Sequence, residues 1–395
     1  MKSTIKFISL FICLISTAGI TEAQDDFFAL YHRYLYHETM RSPRAMGMGG
    51  AYSALRGHDM GLFGNPATLG WQESYYLHLG GSYEEVSGEI MLQDLAVEGL
   101  GSISDAKSEI NSGLIGLVVP SEWGGIGLLY HYRNDDADSS TNVVGGGKMI
   151  GYKSEAETNQ GSVGSGFQMT DQLTLGYRYI YYDRDIYTWS GVIRPVVLAT
   201  DYYTLHENFE GHNNHFGLQF MVNDQWSVGL EVTYGFGDQN YQFAPGHGTD
   251  LVGDSDPETW SVRSGAAWHL LPNLPLLLAA DLRYEEYTLD DGIYNRDEEL
   301  FGVHVGVEYE VIEHLFIRLG YKYEDIDFSD NFPLNIPLPT GTPPMQYIID
   351  ENVSYSSYTA GLGYSIGQFN IDYALQVSDT GGKDWYHYIG FGFSF

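Results

Sequence analysis

The chain has 395 residues, 43% hydrophobic and 15% aromatic, with 19 Lys and Arg against 52 Asp and Glu. A formal net charge of −33 argues against nucleic acid as a partner, because phosphate binding needs a basic face. The length fits two or three soluble domains or one large barrel, so it leaves the domain count open.

Residues 1–23 carry Lys2 and Lys6, an apolar run from Phe7 to Ile20, and small residues around Ala23. They read as a secretory signal peptide cleaved before Gln24. Cys13, the single cysteine, lies inside that run behind Ile12, where a lipoprotein signal wants a small residue. The mature chain is therefore expected to lack disulfides and a lipid anchor, as suits passage through an oxidising periplasm. Beyond the signal no run of about 18 apolar residues follows, so no transmembrane helix is expected. Transmembrane strands remain open, since each needs only about 9 to 11 residues with every second one apolar.

From Gln24 to about Trp71 the pattern is irregular. Phe27, Phe28, Tyr31, Tyr34 and Leu35 have the spacing of one short helix. Arg44-Ala45, the glycines Gly47, Gly49 and Gly50 ahead of Ala51-Tyr52, Asp59, and Asn65-Pro66-Ala67 before Leu69 then form a compact, turn-rich stretch. Glycine lets backbone pack on backbone, and proline fixes φ while steering its predecessor away from helix.

From Ser74 onward the chain alternates apolar and polar residues in segments of about ten. Phe301, Val303, Val305, Val307, Tyr309 and Val311 share one face, against Gly302, His304, Gly306, Glu308 and Glu310 on the other. Leu315 to Glu324 and Leu276 to Tyr287 repeat the scheme. Short turns are expected near 121–122, 170–171, 223–224, 271–274, 313–314 and 367–368. Long polar links are expected over roughly 85–111, 135–160, 187–211, 238–257, 288–299, 328–352 and 379–384. Short periplasmic turns and long extracellular loops are the habit of bacterial barrels, and this alternation gives fourteen strands with both ends in the periplasm. The final strand, Trp385 to Phe395, ends in an aromatic residue with Phe391 and Phe393 on its face, which resembles the signal read by the barrel assembly machinery.

The stretch from Arg44 to Trp71 resembles the amino-terminal signature of the FadL/TodX family of outer-membrane transporters for hydrophobic compounds. It departs at Thr68, where that family usually has glycine, and at Arg56-Gly57-His58-Asp59, which replaces a more acidic pair. The resemblance implies an all-β fold: a transmembrane antiparallel barrel of about fourteen strands, residues 73–395, with an N-terminal hatch, residues 24–72, plugging its lumen. Arg44, Gly49, Gly50, Asn65, Pro66 and Ala67 would carry the hatch motif. It also implies passive uptake of long-chain fatty acids or other hydrophobic small molecules by a monomer in the outer membrane of a Gram-negative cell, among lipids and lipopolysaccharide. The related PorV-type barrels share similar amino-terminal residues and serve type IX secretion without small-molecule transport, which is the alternative.

Several groups are candidates for function. Phe27, Phe28, Met46, Met48, Met60, Leu62 and Phe63 are expected either to line a ligand pocket or to wedge the hatch in place. Trp123-Gly124-Gly125-Ile126-Gly127 is a candidate lateral gate, where a kink in the third strand serves FadL-like proteins; its glycines alternatively make room for the hatch. Lumen-facing Arg133, Arg178, Arg263, Arg283, Arg318 and Lys322 are expected to pair with Glu231, Asp281, Glu308 and Asp372, or to hold a fatty-acid carboxylate. Asp135-Asp136 and Asp138, Asp250 to Glu258, Asp290-Asp291, Asp297 to Glu299 and Asp325 to Asp330 are read as a solvated rim or, alternatively, as loops bridged to lipopolysaccharide by divalent cations, with no metal site assigned. The sequence has no Gly-x-Ser-x-Gly elbow and no His-Glu-x-x-His, so neither catalytic residue nor cofactor is expected and the chain is read as a non-enzyme.

Overall fold

The computed structural model describes residues 42–91, 101–144, 148–194, 199–245, 251–271, 274–290, 295–334, 345–379 and 383–395. The signal peptide, Phe27, Phe28 and the short helix expected near them lie outside the described residues.

Fifteen strands follow one another: β1 (Tyr76–Met91), β2 (Gly101–Ser121), β3 (Gly124–Val144), β4 (Lys148–Gln168) and β5 (Leu173–Arg194). Next come β6 (Ala199–Asn223), β7 (Trp226–Pro245), β8 (Leu251–Ser255), β9 (Glu258–Leu271) and β10 (Leu274–Asp290). β11 (Asn295–Ile312), β12 (Leu315–Leu334), β13 (Met345–Ile366), β14 (Phe369–Asp379) and β15 (Lys383–Ser394) complete the wall. Each pairs antiparallel with its neighbour, and β15 returns to pair with β1, closing the sheet on itself. β8 pairs with β7 from Gln239↔Ser255 to Phe243↔Leu251 and continues the line of β9, which pairs with the lower part of β7. Asp256-Pro257 interrupts that line, because proline has no N–H for the ladder. Gly237 N nonetheless donates to Pro257 O at 3.1 Å, so β8 and β9 form one stave of a fourteen-stave barrel.

Side chains sort to the two faces by parity, as a closed sheet requires. On β11, Phe301, Val305, Val307 and Tyr309 are exposed on the outer wall, while Gly302, His304, Gly306 and Glu308 are buried inside. Aromatic residues ring the short-turn end: Trp123 stacks on Phe167 at 4.7 Å, Trp226 on Trp268 at 4.8 Å and Tyr75 on Phe395 at 5.4 Å. A second aromatic row includes Tyr130, Tyr177, Tyr181, Tyr234 and Trp260, all exposed on the outer wall. An apolar band between two aromatic girdles is the outer surface of a membrane-spanning barrel.

The strands are longer than the alternation indicated. Where the sequence suggested a link over 135–160, β3 runs to Val144 and β4 begins at Lys148; where it suggested one over 187–211, β5 runs to Arg194 and β6 begins at Ala199. Past the membrane both faces of a strand meet polar surroundings, so the period-two signal fades although the backbone ladder continues. Five of the six short turns fall where expected, and residues 272–273 of the sixth lie outside the described residues. Glu313-His314 is one, with His314 at φ 71°, and Gly367-Gln368 is another, with Gly367 at φ 60°.

The extended wall has a direct readout. A cysteine at Asp185, on the outer face of β5 above the girdle, should react with a membrane-impermeant maleimide on intact cells. One at Leu128, lower on β3 in the apolar band, should not. Equal labelling of both would remove the assigned membrane level.

Candidate functional site

Residues 42–72 fill the short-turn end of the lumen. They fold as α1 (Pro43–Gly47), α2 (His58–Phe63) and a 3₁₀ segment, Pro66–Trp71. Ser42 caps α1, its Oγ accepting from Arg44 N at 3.2 Å and Ala45 N at 3.4 Å, with Pro43 in the first turn where its missing N–H costs nothing. The same hydroxyl donates to the buried carboxylate of Asp59, joining the two helices. Gly49 and Gly50 leave α1 at φ 69° and 80°. A Cβ on Gly49 would lie 2.7 Å from Val305 O and from the backbone of Tyr321, so only glycine brings the hatch this close to β11 and β12.

Asn65-Pro66-Ala67 acts as a clasp. Asn65 Oδ1 accepts from Ala67 N at 3.0 Å, while Nδ2 donates to Ser53 O at 2.9 Å within the hatch and to Leu218 O at 3.0 Å on β6. Thr68 is fully buried beside it, so the position accommodates a side chain where the related family usually has glycine.

Inward-facing polar groups on the wall grip this insert. Glu308 on β11 takes Arg44 in a bidentate pair, Nη2 at 2.7 Å and Nε at 2.9 Å, and takes Arg318 Nε at 2.6 Å. Arg318 Nη1 reaches Asp372 at 2.5 Å. Asp281 on β10 accepts from Tyr52 N at 2.9 Å, Ser53 N at 3.0 Å and Ser53 Oγ at 2.8 Å. Arg263 donates to Gly50 O at 2.9 Å and lies 4.2 Å above the Tyr52 ring; burial pushes the Tyr52 phenol up to about 12, so it stays neutral. Arg178 donates to Leu62 O at 2.7 Å, Gln219 to Ala54 O at 2.8 Å, and His304 Nδ1 contacts Gly49 O at 2.9 Å.

β2 to β4 meet the hatch through apolar contact and through glycine seats of the kind also found on β5 to β7, β11 and β12. Leu62 and Leu69 pack with Phe63, Tyr76, Val118 and Leu129. Gly124, Gly125 and Gly127, the candidate gate, form part of this seat: a Cβ on Gly125 would lie 2.9 Å from Leu69 O, and one on Gly127 3.1 Å from Leu62. β3 keeps continuous register with β2 and β4 from Gly124 to Val143. Met48 and Met60 are buried with Ala51, Leu55, Ala267 and Leu277, and Met46 packs on Ala374 and Tyr388. The five described ligand candidates, Met46, Met48, Met60, Leu62 and Phe63, thus sit in contacts between hatch and wall.

The expected lumen cations all face inward, and every buried cation among the described residues has a carboxylate within reach. The separations are 2.6 Å for Arg133–Asp135, 3.1 Å for Arg184–Asp135, 3.8 Å for Arg178–Glu231 and 3.8 Å for Arg263–Asp281. Arg283 is 2.5 Å from Glu285 and 3.2 Å from Glu324, and Lys322 is 2.7 Å from Glu324. Two members of the expected rim belong here instead. Asp135 is 1% exposed and bridges two guanidiniums, and Glu298 is 3% exposed. Both continue the inward parity, Asp135 from His131 and Arg133, and Glu298 from Gly302 and His304, which is the signal that identifies them.

A family model described as outer membrane protein beta-barrel domain matches residues 197–365. No curated protein matches. Among solved structures, the Pseudomonas putida toluene transporter TodX aligns at TM-score 0.59 and 14% identity, over 91% of this chain and 99% of that one. The Ralstonia pickettii toluene transporter TbuX aligns at TM-score 0.56 and 15% identity, over 91% and 100%. A Pseudomonas aeruginosa FadL homologue aligns at TM-score 0.58 and 15% identity, over 91% and 100%. At such identity the likeness establishes fold. The chain is an outer-membrane β-barrel of the FadL/TodX fold.

Proposed function

We propose that the chain is a passive outer-membrane channel for long-chain fatty acids or other hydrophobic small molecules, and that it favours uncharged ones. The observation that carries this choice is the pairing of every buried lumen cation among the described residues with a carboxylate. An ionised fatty acid reaches a guanidinium here only by displacing a resident carboxylate, which leaves that charge buried and unpaired. A hydrocarbon or an alcohol displaces nothing. The shared fold with toluene transporters supports the same class of cargo.

Cargo leaves sideways through the wall, because release into water forfeits about 0.8 kcal/mol for every CH₂ that lipid would keep buried. The seam at Gly124, Gly125 and Gly127 is the proposed door, since glycine against Leu62 and Leu69 parts without breaking a side-chain ion pair. The pocket proposed for Phe27, Phe28, Met46, Met48, Met60, Leu62 and Phe63 would form as the hatch moves off this seam. The protein acts as a monomer and needs no catalytic group or cofactor.

Three outcomes are expected. In proteoliposomes at neutral pH, dodecan-1-ol should pass several-fold faster than dodecanoate; equal rates would remove the preference for uncharged cargo. Gly125→Val and Gly127→Val should keep heat-modifiable barrel mobility while slowing uptake, and wild-type rates in folded variants would place the door elsewhere. Asp281→Ala strips three hydrogen bonds from the hatch and removes the carboxylate 3.8 Å from Arg263, a loss on the order of 3–5 kcal/mol for a buried ion pair. Its bilayer conductance should rise as the hatch loosens, and a silent channel would show that Asp281 does not hold the plug.

A further inference from the structure

The outer end of the wall is uneven. β5, β6 and β13 run for 22, 25 and 22 residues, whereas β14 has 11 and β15 has 12. Pairing between β13 and β14 stops at Ser356↔Asp379, and among the described residues Met345 to Tyr355 continue beside β12 alone. On the other flank β15 and β1 part at Trp385↔Glu85, and Val86 to Met91 continue beside β2 alone. Asp379 pairs with Lys383, so the hairpin closes at that level. β14 has the length of one membrane crossing, about 9 to 11 residues. Among the described residues the wall therefore drops to the outer membrane surface here, and β13 rises beside the gap by roughly 30 Å of strand, at about 3.3 Å per residue.

Elsewhere the outward faces above the girdle carry exposed acids, among them Glu155, Glu157, Asp185, Glu210 and Asp238. A hydrophobic molecule leaving lipid at those strands must climb a charged wall through water. At the hairpin the outer face carries Trp385 and Ile389, 40% and 44% exposed, with His387 between them, and the register ends one step higher at Asp379 and Lys383, so the climb is short. Just inside are Ser378, Gln376 and Ala374 on β14, the last two opposite Tyr386 and Tyr388 on β15. Ala374 and Tyr388 rest on Met46 of the hatch, with Tyr386 packed against them. Gln376, 4% exposed, donates through Nε2 to Ser357 Oγ at 3.2 Å and Ser378 Oγ at 3.0 Å, while its Oε1 has no hydrogen-bond partner. A buried acceptor left open is costly unless something fills it.

We propose that this gap is the entrance. A hydrophobic molecule at the outer membrane surface crosses the β14–β15 hairpin, and its hydroxyl or other hydrogen-bond donor is met by Gln376 Oε1 while its apolar body slides along Tyr386, Tyr388 and Ala374 to Met46. The entrance rests on the transport reading above and is separate from the door proposed at β3. It selects, among uncharged hydrophobes, for alcohols and phenols over alkanes.

The test places a bulky polyethylene glycol maleimide on a single cysteine in a Cys13→Ser background and follows uptake of radiolabelled dodecan-1-ol by cells producing the protein. Trp385→Cys blocks the hairpin. Trp260→Cys, equally exposed at 39% on β9 where β8 carries the wall onward, is the control. Modification should cut uptake several-fold at Trp385→Cys and leave it unchanged at Trp260→Cys. No loss at Trp385→Cys, or equal loss at both, overturns the entrance while transport stands. No uptake by the unmodified protein overturns the transport reading and the entrance with it. Gln376→Leu should slow dodecan-1-ol more than dodecane, and an unchanged ratio removes the role of the amide.

Discussion

A charge facing the lumen of this barrel has little water to turn to, and the whole interior is arranged around satisfying that demand. Removing one partner of a buried ion pair costs on the order of 3–5 kcal/mol, because the other charge is left without compensation. The wall meets the constraint by placing opposite charges at neighbouring inward positions, as in Arg133 with Asp135, or Lys322 with Glu324. Where the hatch lies against the wall, the same groups turn to the insert: Glu308 holds Arg44 as well as Arg318, and Asp281 holds backbone N–H groups of the hatch as well as the charge of Arg263. Neutralising the lumen and fixing the plug are therefore one set of contacts.

That coupling divides the hatch into two sides. Toward β5 to β13 it is tied by charged and polar side chains to several strands. Toward β2 to β4 it rests on glycines and aliphatic side chains, contacts that can shift without exposing a charge. Under the proposed mechanism, a plug fastened on one side and greased on the other moves toward β3. The outer wall follows a similar logic of cost. Tall strands armed with acids keep most of the rim polar, and the short β14–β15 hairpin offers the proposed entrance a lower crossing.

Much of this was legible in the sequence because a transmembrane strand writes its environment in alternate letters. The run from Phe301 to Val311 separates lipid from lumen residue by residue, and the structure keeps that separation. The expected partners of Arg178, Arg263 and Arg318 followed from the need to compensate each inward charge. Strand ends were not legible, since above the membrane a strand such as β6 has no apolar face to show. Asp135 was hidden for a related reason: among neighbouring aspartates it looked like solvated rim, and only parity counted from His131 reveals that it points inward. The hatch contacts were least accessible, because Asp281 and Asn65 bind backbone atoms far away in sequence, and no pattern of side chains records such a partner. The short β14–β15 hairpin could be counted from the sequence, but it became informative only once β13 beside it proved to be twice as long as β14.

The central claim is that the plugged barrel conducts uncharged hydrophobic molecules. The most direct measurement is mass spectrometry of small molecules extracted from protein purified out of the outer membrane in mild detergent, alongside the composition of the purified complex. The account predicts a bound uncharged hydrophobe, enriched over the bulk lipid, in a protein that purifies alone. Recovery of an empty barrel in stoichiometric complex with a secretion translocon would contradict it.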